Sequence, residues 1–173
     1  MKKNSGFTLL ELIITVAIVA IVVAIAIPSM TTFTQNDRLT TNINTLIGHL
    51  AYARSEAVKR SQQVSICVSN NSGDPAPSCT AGNWADGWIV YIDADADNSF
   101  TAGEEVIRVQ QALDGDNTLT TAIGSQITYD NRGFVNAASI GSLQLCDSRT
   151  GPYGKTIRIT TTGRVRLEKD TAC

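Results

Sequence analysis

The chain has 173 residues, of which 17% are charged and 43% are hydrophobic, and its formal net charge is -2 at pH 7. This length accommodates one globular domain and one long helix, so a second independent domain is not expected. The net charge excludes a generally basic, histone-like protein, but the charges are unevenly distributed. Residues 70–131 hold one Lys or Arg against ten Asp or Glu, whereas residues 132–173 hold seven against three. An acidic middle and a basic C-terminal segment can orient the protein toward an anionic partner.

The N-terminus carries an apolar run, residues 7–27, whose only polar interruptions are Thr8, Glu11 and Thr15. At about 1.5 Å per residue this run would span roughly 31 Å as a helix, which matches a hydrocarbon core of about 30 Å. The sequence therefore predicts a membrane-spanning helix.

A secretory signal peptide is the alternative, with Lys2 and Lys3 as its basic end and residues 24–26 as a small-x-small cleavage site. The apolar run is longer than the usual 7 to 15 residues of such a signal. Glu11 would also be pointless in a segment destined for removal, because a carboxylate in lipid is costly. We therefore favour the spanning helix.

The helix is expected to continue beyond the membrane. Apolar residues recur at the spacing of one helical face, at Leu39, Ile43, Leu46, Ile47, Leu50, Ala57 and Val58. The opposite side carries Arg38, Asn42, Arg54, Glu56, Lys59 and Arg60. This pattern predicts an amphipathic helix that packs its apolar stripe on a sheet and leaves its charges in water.

A β-rich segment follows. Runs of β-branched and aromatic residues between Gly, Asn, Asp and Pro clusters predict strands at residues 64–68, 88–93, 105–111, 126–129, 142–146, 155–161 and 164–167. A long helix followed by an antiparallel sheet is an α+β fold.

The four cysteines, Cys67, Cys79, Cys146 and Cys173, lack the close spacing of a zinc or redox motif. Disulfides are the better interpretation, and they indicate a compartment outside the reducing cytosol. Three pairings are possible. We favour Cys67 with Cys79, which closes a loop rich in Gly and Pro, and Cys146 with Cys173, which ties down the C-terminus.

Nothing in the sequence indicates an enzyme. The single histidine, His49, lies beside the apolar stripe of the helix and is interpreted as a surface or flank residue. The serines lack a Gly-x-Ser-x-Gly context, and no phosphate-binding Gly-x-x-x-x-Gly-Lys loop occurs in the sequence.

The N-terminal octapeptide Gly6-Phe7-Thr8-Leu9-Leu10-Glu11-Leu12-Ile13 resembles the class III signal of type IV prepilins and type II secretion pseudopilins. The resemblance implies that a prepilin peptidase cuts after Gly6 and that the new amine of Phe7 is methylated. It also implies that Glu11 meets the amine of a neighbouring subunit during assembly. Such a pair would offset the desolvation of both charges in lipid.

The resemblance implies a type IV pilin-like fold, with Pro28 matching a kink seen in many pilin helices. The expected organisation is a leader (1–6), a transmembrane and filament-core helix (7–28), its amphipathic continuation (29–63), and a head with two disulfides (64–173). The protein would cross the inner membrane once with its head in the periplasm, and would then become extracellular in the pilus. Other pilins are its implied partners.

Three segments are similar to the FimT and GspH group of minor pilins and pseudopilins. They are Ala51-Tyr52-Ala53-Arg54-Ser55-Glu56-Ala57, Val64-Ser65-Ile66-Cys67, and Gly87-Trp88-Ile89-Val90-Tyr91-Ile92-Asp93. Beyond residue 110 the similarity is mainly the short element Thr162-Gly163-Arg164-Val165-Arg166.

An acidic run is one candidate site. Oxygen-bearing side chains occupy positions 1, 3, 5, 7, 9 and 12 of a calcium-binding loop, at Asp93, Asp95, Asp97, Ser99, Thr101 and Glu104. Position 6 is Asn98 instead of Gly, although Asn tolerates the left-handed conformation, and a strand precedes the loop where an EF-hand has a helix. The alternative is a polar turn between two strands. Calcium is thus a possible ligand, and no other cofactor is expected.

The basic C-terminal segment is the other candidate site, with Arg149, Lys155, Arg158, Arg164, Arg166 and Lys169. In an extended strand Arg164 and Arg166 would share a face about 7 Å apart, a spacing suited to consecutive phosphates. Gly163 would let the chain turn closely against the ligand. The alternative is a solvated edge strand, whose charges discourage edge-to-edge pairing.

Gly163-Arg164-Val165-Arg166 resembles the Gly-Arg-x-Arg DNA-binding motif of FimT-type minor pilins used in natural transformation. This resemblance favours a minor pilin that binds extracellular double-stranded DNA. The alternative is a structural minor pilin, or a GspH-like pseudopilin of type II secretion, that does not bind DNA.

Overall fold

The computed structural model describes residues 7–173, apart from the side chain of Asp170. The chain divides into two units, Met1–Asp37 and Arg38–Cys173, which are described separately below. Helix α1, Leu9–Arg60, contributes to both units. The predicted leader, including Gly6, lies outside the described residues.

The first unit is the apolar half of α1. Thr8 caps its start, since Thr8 Oγ1 accepts a hydrogen bond from the Glu11 N–H at 3.2 Å. Glu11 lies in the first turn, where a carboxylate complements the helix dipole. Large apolar side chains are exposed all around this half, from Phe7 to Phe33. By length and composition, α1 is the one helix among the described residues that could span a membrane.

Threonine hydroxyls in this half bond to the helix itself. Thr15 Oγ1 donates to the Leu12 carbonyl at 2.8 Å, and the hydroxyls of Thr31 and Thr32 both donate to the Pro28 carbonyl. These bonds satisfy the polar groups internally, as a lipid environment requires.

The second unit begins with the amphipathic half of α1. Its buried apolar stripe consists of Leu39, Ile43, Leu46, Leu50, Ala53 and Ala57. Two residues depart from the predicted faces. Val58 is 50% exposed, whereas Glu56 is 5% exposed because it accepts hydrogen bonds from Lys59 and Arg60. The helix ends three residues before the predicted position, where Ser61 takes a left-handed conformation with φ 56°.

Eight strands follow the helix: β1 (Gln63–Val68), β2 (Trp88–Asp93), β3 (Val106–Gln110), β4 (Thr118–Thr121), β5 (Gln126–Tyr129), β6 (Gly141–Cys146), β7 (Gly154–Ile159) and β8 (Val165–Thr171). They form two antiparallel four-stranded sheets, ordered β3-β2-β1-β5 and β4-β6-β7-β8. The α+β fold is confirmed, with two sheets where the sequence predicted one. Strand β4 was not predicted, because Thr118-Leu119-Thr120-Thr121 offers a single apolar residue.

The apolar stripe of α1 and one face of each sheet form a single core. The first sheet contributes Val64, Ile66, Val68, Trp88, Val90, Ile92, Ile127 and Tyr129 to it, and the second contributes Leu119, Leu143, Leu145, Ile157 and Ile159. On the other face of the first sheet, Cys67, Ile89 and Tyr91 form a smaller cluster beneath Cys79 and Phe100. Both faces of β1 and β2 are therefore covered, which explains why these strands are nearly continuous apolar runs.

Both favoured disulfides are present, Cys67 to Cys79 and Cys146 to Cys173. Loop closure over 12 and 27 residues corresponds to about 3 kcal/mol of stabilisation for each bond. The second bond joins the end of β6 to the C-terminal residue, and Gln144 Nε2 also donates to the Ala172 carbonyl at 2.7 Å. The C-terminus is thereby fixed to the second sheet.

A tight turn joins β7 to β8 and packs against the rest of the head. Gly163 has φ +70° and its N–H donates to the Thr160 carbonyl at 2.8 Å. A Cβ at Gly163 would overlap the Gly133 carbonyl oxygen in the turn after β5. The same oxygen accepts a hydrogen bond from Arg54 Nε of the helix at 3.0 Å. The helix, the turn after β5 and the β7–β8 turn therefore meet at the Gly133 carbonyl.

Substituting Gly163→Ala should lower the free energy of unfolding by at least about 2 kcal/mol, because alanine is strained at positive φ and its methyl group would displace the Gly133 carbonyl. Gly124→Ala is the matched control, since a Cβ there meets no atom within 4 Å. It should change stability by less than about 0.5 kcal/mol. Urea denaturation of both variants measures the difference, and equal stabilities would contradict this packing role.

Candidate nucleic-acid interface

Arg164 and Arg166 lie on the exposed side of the β7–β8 hairpin. Arg164 directly precedes β8 and Arg166 is its second residue, and both are exposed. Val165, which lies between the two arginines, and Leu167, which follows them, are partly buried and pack on the core. This alternation places the two arginines on the same face, as the sequence predicted. Among the described residues, neither forms an ion pair.

Arg158 lies on the same face, because it is the cross-strand neighbour of Arg166. Its Nε is 3.2 Å from Glu168 Oε1. The hydrogen bond and charge of Arg158 hold the pKa of the Glu168 carboxyl below its usual value. Glu168 therefore remains ionised and offsets much of the positive charge that Arg158 would add.

The other predicted basic residues are positioned differently. Lys155 and Lys169 are cross-strand neighbours in the hairpin. Each is two residues from an apolar residue that packs inward, Ile157 or Leu167, so both lysines lie on the opposite face from Arg158 and Arg166. The structure therefore does not bring these two lysines together with Arg164 and Arg166.

Arg149 is largely buried. Its Nη2 lies 2.6 Å from Asp147 Oδ2, its guanidinium stacks at 4.1 Å from the Tyr153 ring centroid, and its side chain is 16% exposed. Partial burial opposes ionisation of Asp147, but the hydrogen bonds from Arg149 outweigh it and lower the pKa of this carboxyl. Arg149 thus braces its own loop, and we leave it out of the interface.

The structure revises the interpretation of Gly163. This residue is buried, and the side that a Cβ would occupy faces Gly133 rather than solvent. Gly163 lets two turns approach each other, and does not open the chain to a ligand. Its effect on the site is indirect, because this turn leads directly into Arg164.

The helix adds cations that the sequence interpretation missed. A groove between α1 and the hairpin is lined by Arg54, Lys59 and Arg164 together with apolar residues such as Val58 and Val165. The Lys59 side chain is 74% exposed and lies 3.4 Å from Glu56. The helical pattern predicted Arg54 and Lys59 on the solvent-exposed face of the helix, but no sequence signal indicated that the hairpin would pack beside them.

The acidic loop after β2 brings three of the predicted calcium ligands together. Asp93, Asp95 and Asp97 each place a carboxylate oxygen within 4.8 Å of the others. The Ser99 N–H donates to Asp97 Oδ1 at 2.7 Å, while the carboxylate of Glu104 accepts from the Ala94 and Thr101 N–H groups. Ser99 and Glu104 therefore hold the loop itself.

His49 is a structural acceptor rather than a surface residue. Trp88 Nε1 donates to His49 Nδ1 at 2.9 Å, and burial, assisted by the charge of Arg108, lowers the pKa of the imidazole. This neutral ring completes the hydrogen bonding of a buried indole. The expected position beside the apolar stripe is confirmed by the intermediate burial of His49, but the sequence did not indicate the bond to Trp88.

Two family descriptions match this chain, one over its N-terminus and one over the amphipathic half of the helix and most of the head. Residues 42–163 match the family described as type II transport protein GspH, and residues 1–27 match the prokaryotic N-terminal methylation motif. No curated protein matches the sequence.

Two similar solved structures are crystal structures of the type IV minor pilin FimU from Pseudomonas aeruginosa, in space groups P21 and P65. The first is 20% identical, with a TM-score of 0.60 over 82% of this chain and 96% of that chain. The second is 19% identical, with a TM-score of 0.57 over 78% and 97%. At these identities the likeness shows the fold. With its methylation motif and pilin fold, the chain belongs to the GspH family, and so to the FimT and GspH group of minor pilins and pseudopilins.

Proposed function

We propose that this minor pilin binds extracellular double-stranded DNA through Arg164 and Arg166, without reading bases, and assists DNA uptake in natural transformation. The observation that carries the proposal is the pair of exposed arginines on one face of the hairpin, neither of which forms an ion pair among the described residues. Unpaired guanidinium groups remain available for bidentate contacts with phosphate oxygens.

The surroundings of the pair suit a phosphate backbone. The hydroxyls of Thr160 and Thr162 lie 3.0 Å apart, and Thr160 Oγ1 donates to the Arg164 carbonyl at 3.3 Å, so these groups hold the exposed turn that leads into Arg164. Lys59 on the neighbouring helix extends the positive surface along the groove. Contacts of these kinds position DNA but do not distinguish its sequence.

The expected affinity is modest, because few phosphates are neutralised. If about four phosphates are contacted, the logarithm of the binding constant should fall with the logarithm of salt concentration with a slope of roughly -3 to -4. Many subunits or several minor pilins along a filament would raise the overall avidity.

A structural role without DNA binding is the second candidate. It is favoured by the exposed apolar half of α1, which needs neighbouring subunits or lipid to cover it and is sufficient for an assembly function. A packing-only subunit has no need of unpaired arginines on the hairpin. DNA binding by the purified protein therefore distinguishes the two candidates.

Replacing both arginines, Arg164→Gln with Arg166→Gln, should weaken binding to a mixed-sequence duplex at least about 10-fold at low salt and flatten the salt slope by about 2, since two phosphate contacts are lost. Fluorescence anisotropy with the full chain in detergent measures both quantities. The matched control, Arg38→Gln with Arg108→Gln, removes the same charge from two other exposed arginines and should change binding by less than about 3-fold.

Two results would contradict the proposal in different ways. Equal losses in the two double variants would mean that net charge, rather than this hairpin, governs binding. A wild-type chain that never binds the duplex would support the structural candidate instead.

Neutralising the Glu168 carboxylate, which competes with DNA phosphates for Arg158, should strengthen DNA binding. Glu168→Gln releases Arg158 from its 3.2 Å ion pair and removes a negative charge beside Arg166. Binding should therefore tighten about 2- to 5-fold, the range of a surface ion pair, and the salt slope should steepen. The same anisotropy titration measures the change, and unchanged or weaker binding would place the DNA elsewhere.

A further inference from the structure

The loop between β2 and β3 concentrates negative charge on one point. Asp93, the last residue of β2, lies with Asp95 and Asp97 so that one oxygen of each is within 4.8 Å of the others. Carboxylates this close repel one another unless a cation lies between them or one is protonated. Within residues 7–173, no Lys or Arg forms an ion pair with any of the three.

Asp93 supplies the observation that points to a ligand. The residue is 1% exposed, and its Oδ1 is buried without a hydrogen-bond partner among the described residues. Its Oδ2, by contrast, accepts from Gln63 Nε2 at 2.8 Å and from the Asn98 N–H at 3.1 Å. A buried carboxylate oxygen left without a partner is costly, so such atoms normally meet a donor, a water or a metal ion.

The two outer carboxylates keep capacity for a cation. Asp97 Oδ1 accepts one backbone hydrogen bond from Ser99, and Asp95 Oδ1 faces the Asp97 N–H at 3.4 Å. Each has a second oxygen to which no hydrogen bond is assigned among the described residues. Both side chains are exposed, so water can complete a coordination shell around them.

We propose that Asp93, Asp95 and Asp97 bind a calcium ion. Calcium takes six to eight oxygen ligands in a flexible geometry and accepts carboxylates, carbonyls and water together, which suits three converging carboxylates on a solvent-facing loop. Magnesium demands a near-ideal octahedron of short bonds and gives up its water reluctantly, so it fits this loop less well.

Glu104 is a brace of this site rather than a ligand. Its Oε1 accepts from the Ala94 N–H at 3.2 Å and its Oε2 from the Thr101 N–H at 2.8 Å, which ties the two ends of the loop together. The next residue, Glu105, pairs with Arg60 at the end of the helix at 2.7 Å. An ion at Asp93 would therefore stiffen a connection that is already anchored to α1.

Isothermal titration of the full chain in detergent, after removal of metals with chelator, tests the proposal directly. We expect saturable calcium binding with a Kd of about 0.1–1 mM, the range of extracellular calcium modules, and magnesium binding at least about 10-fold weaker. Calcium at about 10 mM should raise the melting temperature by roughly 3–6 °C. Absence of heat and of thermal stabilisation at that concentration would overturn the proposal.

Two double variants of equal charge change locate the ion. Asp95→Asn with Asp97→Asn should abolish saturable binding while leaving the fold intact, because both side chains are exposed. Asp114→Asn with Asp116→Asn alters another exposed acidic turn and should retain the wild-type Kd within about 2-fold. Wild-type affinity in the first variant, or equal losses in both, would show that calcium does not bind at this cluster.

Discussion

Burial of one stripe of α1 is the constraint on which the head depends. Leu39, Leu46 and Leu50 are fully buried, and each contributes about 1.5–3 kcal/mol through removal of its apolar surface from water. Residues of both sheets pack around this stripe, so neither sheet has a complete core without it. The turn after β5 and the β7–β8 turn meet at the Gly133 carbonyl, to which Arg54 of the helix donates a hydrogen bond. The position of Arg164 is therefore a consequence of how the core closes.

The two units of the chain serve different physical purposes. The first half of α1 exposes apolar residues on every side and satisfies its own hydroxyls, which fits lipid or the interior of an assembly. The head is closed by two disulfides and carries its chemistry on exposed loops and a hairpin. The N-terminal segment is consistent with a membrane anchor and with pilin assembly, and the proposed binding functions belong to the head.

The sequence predicted those elements whose pattern is local. The helical stripe, the apolar strands β1 and β2, and the alternation that exposes Arg164 and Arg166 all follow from periodicity. Strand β4 was not predicted, because it has one apolar residue and is formed by its pairing with β6. The roles of Gly163 and His49 also could not be predicted, since each depends on a tertiary partner: the Gly133 carbonyl and the Trp88 indole. Neutralisation of Arg158 by Glu168 likewise requires the register of β7 on β8.

The proposed DNA-binding surface is the β7–β8 hairpin beside the helix. Mapping of amide chemical-shift changes by NMR, with the isotope-labelled protein in detergent and an unlabelled duplex, tests this claim most directly. DNA bound on this hairpin should change the amide shifts of residues 160–167 and of the helix near Lys59, while those of the acidic loop after β2 and of strand β3 should stay unchanged. Shifts centred on those other segments, or no saturable shifts at low salt, would contradict it.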